Sequence, residues 1–399
     1  MITRIEIDGF KSFLDFKLDV PPFLALVGPN SSGKSNLLDA LALVQRGEWD
    51  LDDEDEPEAG LRGRPHEQFH QVAKGTPVSA MRIDVFSFTH NEVGLMTMQN
   101  SISAELGEDG TPEEPSVLRD PAPKVGSDRF PWVPSRFLNQ EFAWQAVIEE
   151  RFPRSDVTHS LSGFIKRIFH AEVRTWRLHQ PDPAAMRRSW YAGDKGPLNP
   201  RGSNLAAVLG RMQERDALDD LILDLAALVP DLVTLEPKLD ERTREWSFEV
   251  VVDGQGPVPS GLLSDGTLRV IGLLAALHDP DHPGVLLIEE IENGLHPGRL
   301  AELLRRMRQR VTDPSDPASL ERPLRQVILT THSPVVVSEL FRLSPESLVF
   351  LSTAVRVDPE HGRMSRVTLP KPVRSEGEPG TFTSPRQVRK YLSTVEQGP

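Results

Sequence analysis

Phe23-Leu-Ala-Leu-Val-Gly28-Pro-Asn-Ser-Ser-Gly-Lys-Ser35 is the stretch that says most about the fold. Its first five residues form an unbroken apolar run, which predicts a strand buried on both faces. Beyond the stretch, apolar residues recur at the spacing of one helix face, at Leu37, Leu38, Leu41 and Val44. Between strand and helix lies GxxxxGK followed by serine, a pattern whose backbone N–H groups hold phosphate at a helix N-terminus. We therefore predict a phosphate-binding loop at residues 28–35.

This loop implies ATP and Mg²⁺ as cofactors. Lys34 is expected to bridge the β- and γ-phosphates, and the hydroxyl of Ser35 to ligate Mg²⁺. The residues assigned to nucleotide binding from this motif are Gly28, Pro29, Asn30, Ser31, Ser32, Gly33, Lys34, Ser35 and Asn36.

Two later apolar runs also predict strands that end in polar residues. Val285-Leu-Leu-Ile-Glu-Glu290 places Glu289 on the metal side and Glu290 beside an attacking water, as the catalytic base. Gln326-Val-Ile-Leu-Thr-Thr-His332 could deliver the imidazole of His332 to the γ-phosphate side. A carboxylate pair or a single histidine at a strand end is, by itself, more often structural. The phosphate loop favours the functional interpretation.

Leu263-Ser-Asp-Gly-Thr267 precedes a helical run, Leu268 to Leu277, that is apolar except for Arg269. Backbone amides at such a helix N-terminus suit an anion. Ser264 or Asp265 could equally be an ordinary N-cap residue, and spacing alone does not decide between the two interpretations.

Composition excludes several classes of protein. The 399 residues contain no cysteine, which excludes disulfide scaffolds, thiol catalysis, Cys-ligated zinc and iron–sulfur clusters. The longest apolar run, Val270 to Leu277, is far shorter than the ~20 residues of a membrane span, and no export leader is evident at the start. We expect a cytoplasmic protein that contacts no membrane. A net charge of −14 opposes DNA binding by the surface as a whole, so any nucleic-acid site must be local.

The pattern of predicted elements divides the chain into three regions. Residues 1–95 combine alternating strands with the phosphate loop, whereas 96–231 contain many prolines and short helical patterns, including 141–150, 161–169 and 204–229. Residues 232–399 begin with a predicted hairpin, Leu232–Leu235 with Trp246–Val252, and continue with alternating helices and strands. Such alternation indicates an α/β fold with a parallel sheet.

Residues 151–202 stand out by charge, with ten Lys and Arg against four Asp and Glu. Basic residues there lie among aromatic residues, a mixture suited to phosphate contact and base stacking. A solvated basic face beside core aromatic side chains explains the same composition and is the more common case. The residues of the possible nucleic-acid patch are Arg174, Arg177, Arg187, Arg188 and Lys195.

The order of these motifs resembles that of the ABC-type ATPases of the SMC, RecF and OLD-like group. The similar segments are Gly9-Phe-Lys-Ser-Phe13, the phosphate loop (Walker A), Leu263–Arg269 (signature), Ile288–Pro297 (Walker B and D-loop) and Thr330–Pro334 (H-loop). The resemblance implies a P-loop NTPase head with a mixed sheet flanked by helices and an amino-terminal antiparallel β region. It also implies that 96–231 form an inserted, mainly helical lid domain.

The same resemblance implies an ATP-dependent homodimer in which two ATP molecules lie between head-to-tail subunits. Ser264 and Gly266 would reach the γ-phosphate bound by the other subunit, and Asn293 would contact the opposite site. Lys11 of the amino motif would join the nucleotide-binding residues. The catalytic residues Lys34, Glu290 and His332 would act in cis, as would the metal ligands Ser35 and Glu289.

Two positions depart from the family pattern: Glu289 replaces the usual aspartate, and Asp265 replaces a glycine of the signature. Gln68 and Gln71 are candidates for the Q-loop. The 67 residues after His332 lack an Asp-x-Asp cluster, so we expect an ATPase without its own nuclease domain. Relatives of this kind suggest a sensor or regulatory ATPase in antiphage defence, with a separate effector protein such as a nuclease or toxin. The alternatives are a RecF-like clamp on DNA and a non-hydrolysing scaffold switched by ATP.

Overall fold

The structure is a computed structural model, and it describes residues 1–49, 62–72, 76–91, 94–121, 171–357 and 364–396. The helices predicted at 141–150 and 161–169 lie outside these residues. None of the described helices is both long and apolar enough to cross a membrane.

The strands are numbered in chain order. They are β1 (Ile2–Asp8), β2 (Phe16–Asp19), β3 (Phe23–Val27), β4 (Gln71–Val72), β5 (Thr76–Pro77), β6 (Ala80–Asn91), β7 (Gly94–Glu105), β8 (Ser116–Pro121), β9 (Trp176–His179), β10 (Trp190–Tyr191), β11 (Leu232–Asp240), β12 (Glu245–Val252), β13 (Gly256–Pro259), β14 (Gly284–Ile288), β15 (Arg325–Thr331), β16 (Leu348–Val357) and β17 (Met364–Pro372).

The α-helices are numbered in the same way. They are α1 (Lys34–Arg46), α2 (Pro183–Met186), α3 (Leu205–Glu214), α4 (Asp219–Ala226), α5 (Asp265–His278), α6 (Pro297–Arg310), α7 (Pro317–Leu320), α8 (Pro334–Leu343) and α9 (Pro385–Glu396).

A six-stranded mixed sheet forms the centre of the molecule, in the order β17-β16-β3-β15-β14-β9. All neighbours pair in parallel except β16 and β17, which are antiparallel. The carboxyl ends of β3, β9, β14 and β15 therefore lie along one edge, where open α/β sheets bind ligands. The predicted α/β class with a mixed sheet is confirmed.

The buried strand β3 explains how two hydrophobic cores form on the two faces of this sheet. Phe23, Ala25 and Val27 belong to a core that includes residues of α3 and α5. Leu24 and Leu26 point the other way, into a core shared with α1 and the amino-terminal strands. The period of two along a strand distributes one apolar run between both cores.

An antiparallel sheet in the order β2-β1-β6-β7-β8 confirms the predicted amino-terminal β region. This sheet crosses the domain boundary that was expected at residue 95, because most of β7 and all of β8 lie in the 96–231 region. Strand β7 is rich in polar residues, and its buried side chains include polar ones: Asn100 and Ser101 are buried beside Met98, Ile102 and Ala104. Because polar and apolar residues are mixed in this way, the sequence does not show the regular alternation that predicts a strand.

Strand β9 also lies within the expected insert, yet it pairs in parallel with β14 in the central sheet. The region 96–231 thus contributes strands to two sheets. Its described helices are short: α2, α3 and α4. The predicted hairpin is confirmed, since β11 and β12 pair antiparallel, and α3 packs against them.

Candidate functional site

The loop between β3 and α1 has the backbone that its glycines predict. Gly33 has φ +99°, and a Cβ atom there would lie 2.3 Å from Thr368 Oγ1, so only glycine fits. Ser31 also has positive φ, at 64°. Thr368 Oγ1 donates to the carbonyl of Ser32 at 3.0 Å, which ties the loop to β17.

Lys34 is buried at the first position of α1. Its Nζ donates to the carbonyl oxygens of Gly28 (2.7 Å) and Pro29 (3.0 Å), so the ammonium is folded back over the loop. Burial lowers the pKa of Lys34, and the negative charges of Glu290, Glu292 and Glu289 oppose this shift. A buried ammonium bonded to neutral carbonyls is well suited to an incoming phosphate.

Glu289 follows β14 and is the centre of a polar cluster. Its Oε1 accepts a hydrogen bond from Ser35 Oγ, and its Oε2 accepts one from Gln180 Nε2. Arg62 Nη1 lies 3.1 Å from Oε1. Burial raises the pKa of Glu289, but these hydrogen bonds and the charge of Arg62 outweigh burial and hold the pKa below its usual value.

The donor set around Glu289 fits Mg²⁺. A hydroxyl and an ionised carboxylate are hard oxygen ligands, and Mg²⁺ in nucleotide sites commonly takes one or two protein ligands plus phosphate oxygens. A guanidinium of Arg62 already lies against the same carboxylate, which shows that the position stabilises positive charge. Ser35 and Glu289 would hold the ion, with Gln180 beside them.

Glu290 is held in an unusual conformation. Its φ is +50°, a region that costs a non-glycine residue about 1 to 3 kcal/mol and is concentrated at functional sites. The backbone N–H of Glu290 donates to Thr330 Oγ1 at 2.9 Å, and its Oε2 accepts a bond from Asn293 Nδ2 at 2.8 Å. The backbone of Glu290 is thus held by β15, and its carboxylate is oriented by Asn293.

His332 lies at the end of β15 with its side chain 52% exposed. Its Nδ1 is 3.0 Å from Glu292 Oε1, which also accepts from its backbone N–H at 2.7 Å. Tyr391 of α9 donates to the carbonyl of His332 at 3.3 Å. The imidazole is therefore anchored through Nδ1.

The structure brings Gln180 into the cluster in place of the two glutamines singled out from the sequence. Gln68 Nε2 donates to the carbonyls of residues 62, 63 and 64, each at 3.1 Å, and Gln71 Nε2 donates to that of Phe69. Gln180 follows β9, a four-residue strand without an apolar run, so no local signal marks it.

Lys11 and Asn36 support the loop from the side. Lys11 Nζ forms an ion pair with Asp39 of α1 at 2.5 Å and donates to the carbonyl of Arg62 at 2.9 Å. Asn36 Nδ2 donates to Ser12 Oγ at 2.9 Å. Burial lowers the pKa of Lys11, against the raising effect of Asp39. Both side chains have protein partners beside the phosphate loop, and their assignment to nucleotide binding stays a prediction.

The signature and D-loop segments contact each other. Ser264 is the N-cap of α5, and its Oγ accepts from the N–H of Thr267 at 3.2 Å. A Cβ at Gly266 would lie 2.8 Å from the carbonyl oxygen of Gly294, so glycine allows the two segments to approach closely. Ser264 and Asn293 are both exposed.

The five basic residues of the possible nucleic-acid patch have different environments. Arg177 is half-buried, donates to the carbonyls of His282 and Pro283, and has a pKa lowered by burial to about 10. Arg187 pairs with Asp265 at 2.6 Å. Arg174, Arg188 and Lys195 are exposed. Trp176 is fully buried, so it is not available for stacking on a base.

One edge of the mixed sheet carries the phosphate loop, the paired acids and the histidine. This arrangement is that of an SMC-like, ABC-type P-loop ATPase. The fold is similar to the SMC head crystallised with the C-terminal winged-helix domain of ScpA, with a TM-score of 0.52, 16% identity, and coverage of 92% of this chain and 98% of that one. An SMC head from Pyrococcus yayanosii gives a TM-score of 0.50 at 13% identity over 99% of both chains.

Two comparisons of sequence agree with the fold. A segment of 44 residues is 52% identical to the chromosome partition protein Smc of Methanocaldococcus jannaschii, but it covers only 11% of this chain and 4% of that protein. The profile of the family described as "AAA domain, putative AbiEii toxin, Type IV TA system" matches residues 23–338. The chain belongs to this family.

Proposed function

We propose that this protein hydrolyses ATP with Mg²⁺ at composite sites of an ATP-induced, head-to-tail homodimer. The observation that carries the proposal is the convergence of four strand ends: the phosphate loop after β3, Gln180 after β9, the two acids after β14 and His332 after β15. The family and fold, which are those of ATPases, support this reading.

Each side chain has a chemical task in this proposal. The loop amides and Lys34 bind the phosphates. Mg²⁺ would supply charge neutralisation when bound, and Ser35 and Glu289 would hold it. Glu290, oriented by Asn293, accepts a proton from the attacking water, and His332 donates toward the γ-phosphate.

The dimer is proposed because part of the constellation faces solvent. Ser264 and Asn293 are exposed, and Leu262, two residues before Ser264, is 78% exposed. An exposed large apolar side chain beside an anion-suited helix N-terminus is consistent with a surface that closes on a second copy. Head-to-tail pairing would place Ser264 and Gly266 against the triphosphate bound by the partner.

The experiment compares wild type with Lys34→Ala and Glu290→Gln, measuring ATP turnover, nucleotide binding and mass in solution. Lys34→Ala is expected to abolish nucleotide binding. Glu290→Gln is expected to bind ATP, to turn it over at least about 100-fold more slowly and to accumulate as a dimer. Normal turnover in Glu290→Gln would contradict the assignment of the base. ATP-dependent dimerisation without any turnover in wild type would identify a scaffold instead.

For the biological role we propose a regulatory ATPase of a toxin–antitoxin-like or antiphage defence system in the cytoplasm, acting with a separate effector. The family description, which names a toxin and a toxin–antitoxin system, supports this role. Purification of tagged Glu290→Gln from its native cells in ATP and Mg²⁺ tests it. A stoichiometric nuclease or toxin is expected. Nucleic acid without a protein partner would favour the DNA clamp and would direct mutation to the exposed Arg174, Arg188 and Lys195.

A further inference from the structure

The signature segment carries a negative charge where it is expected to approach a triphosphate. Asp265 is the first residue of α5, directly after Ser264, and its side chain is 68% exposed. A carboxylate stabilises the positive end of its own helix, but it repels an anion that approaches the same end.

Arg187 lies against this carboxylate. Its Nη2 is 2.6 Å from Asp265 Oδ1 and 2.9 Å from the carbonyl oxygen of Leu263, so one guanidinium binds the residues on both sides of Ser264. The carbonyl of Arg187 in turn accepts a bond from Ser260 Oγ at 3.0 Å. The guanidinium therefore neutralises Asp265 and fixes the backbone that presents Ser264.

The element that carries Arg187 also leads back to the metal side of the site. Arg187 is the C-cap of α2, which begins three residues after Gln180, and Gln180 donates to Glu289. Met186 of the same helix packs against α5, where a Cβ at Gly272 would lie 2.4 Å from Met186 Cε. A short, packed segment thus joins Gln180 to the signature.

We infer that Arg187 is a positioning residue of the ATPase, which offsets the charge of Asp265 and orients Ser264 so that the signature can close on a triphosphate. This inference rests on the proposed function. It replaces the contact with nucleic acid that the sequence suggested for Arg187, since the guanidinium has protein partners.

The test is a charge-rescue series measured by steady-state ATP turnover. Arg187→Ala is expected to lower kcat about tenfold or more, because Asp265 is then unpaired. Arg187→Ala combined with Asp265→Gly is expected to return kcat to within about threefold of Asp265→Gly alone. Arg242→Ala, which changes an exposed arginine in the turn between β11 and β12, is the matched control and should equal wild type.

Two further measurements separate this role from a general loss of structure. ADP binding, which requires only the phosphate loop of one protomer, should be unchanged in Arg187→Ala, and the thermal midpoint should shift by no more than about 3 °C, as for a single partly exposed ion pair. Loss of ADP binding would overturn the assigned role.

The remaining outcomes distinguish the inference from the proposed function. Wild-type turnover in Arg187→Ala would overturn the inference and leave the proposed function standing. Reduced turnover that Asp265→Gly fails to restore would overturn charge neutralisation. Absence of both turnover and ATP-dependent dimerisation in wild type would overturn the proposed function, and the inference would fall with it.

Discussion

Gln180 donates a hydrogen bond from its amide to Glu289 Oε2 across 109 positions of sequence. The contact follows from topology, since β9 and β14 are parallel neighbours and their carboxyl ends meet at one edge of the sheet. The pair places an amide and a carboxylate together at the position proposed for Mg²⁺.

We predict that Gln180→Ala lowers ATP turnover by about 10- to 100-fold and raises the Mg²⁺ concentration needed for half-maximal activity, because Glu289 loses a group that orients it. Turnover measured over a Mg²⁺ series checks this. Gln71→Ala is the matched control, since the Gln71 amide bonds to the carbonyl of Phe69, outside the cluster. Equal effects of the two substitutions would contradict the assignment of Gln180.

A head-to-tail dimer predicts complementation between two inactive variants. Ser264→Arg blocks the signature, and Lys34→Ala blocks the phosphate loop, so each homodimer is inactive. A heterodimer contains one intact site, with Lys34 from one subunit and Ser264 from the other. An equimolar mixture should recover about a quarter of wild-type turnover, since half of the dimers are mixed and one of their two sites is complete. No recovery, with both variants folded, would argue that Ser264 acts within its own subunit.

The sequence alone was sufficient to predict those elements whose signal is local. The phosphate loop, the paired acids and the β11–β12 hairpin are marked by runs of a few residues, because their geometry depends on neighbours in the chain. Gln180 carried no such signal, since β9 is short and its partner β14 lies more than 100 residues further on. Charge composition also could not identify the partner of Arg187, because only the fold shows that Asp265 lies beside it.

Helix α3 packs against the β11–β12 hairpin, and this packing predicts that substitutions at two glycines have very different effects on stability. Gly210 lies in α3, and a Cβ there would be 2.2 Å from the ring of Trp246. Gly210→Ala is therefore expected to lower the free energy of unfolding by about 1 to 3 kcal/mol, the usual cost of overpacking a core. A Cβ at Gly261 would meet nothing within 4 Å, so Gly261→Ala is the control. Chemical denaturation of both variants checks the difference.

His179, the last residue of β9, predicts how stability depends on pH. It is fully buried, and burial together with the charge of Arg177 lowers its pKa to about 3. The folded state keeps this imidazole neutral, whereas the unfolded chain binds a proton below about pH 6.5. The unfolded state therefore binds more protons as the pH falls from 6.5 toward 3, and stability is lost in this window with a slope of up to about 1.4 kcal/mol per pH unit.

His179→Leu removes the group and should make the dependence of stability on pH shallower in urea unfolding measured between pH 4.5 and 7. The exposed His66→Gln is the control for loss of an imidazole. An unchanged slope in His179→Leu would show that His179 does not contribute to the acid sensitivity of the fold.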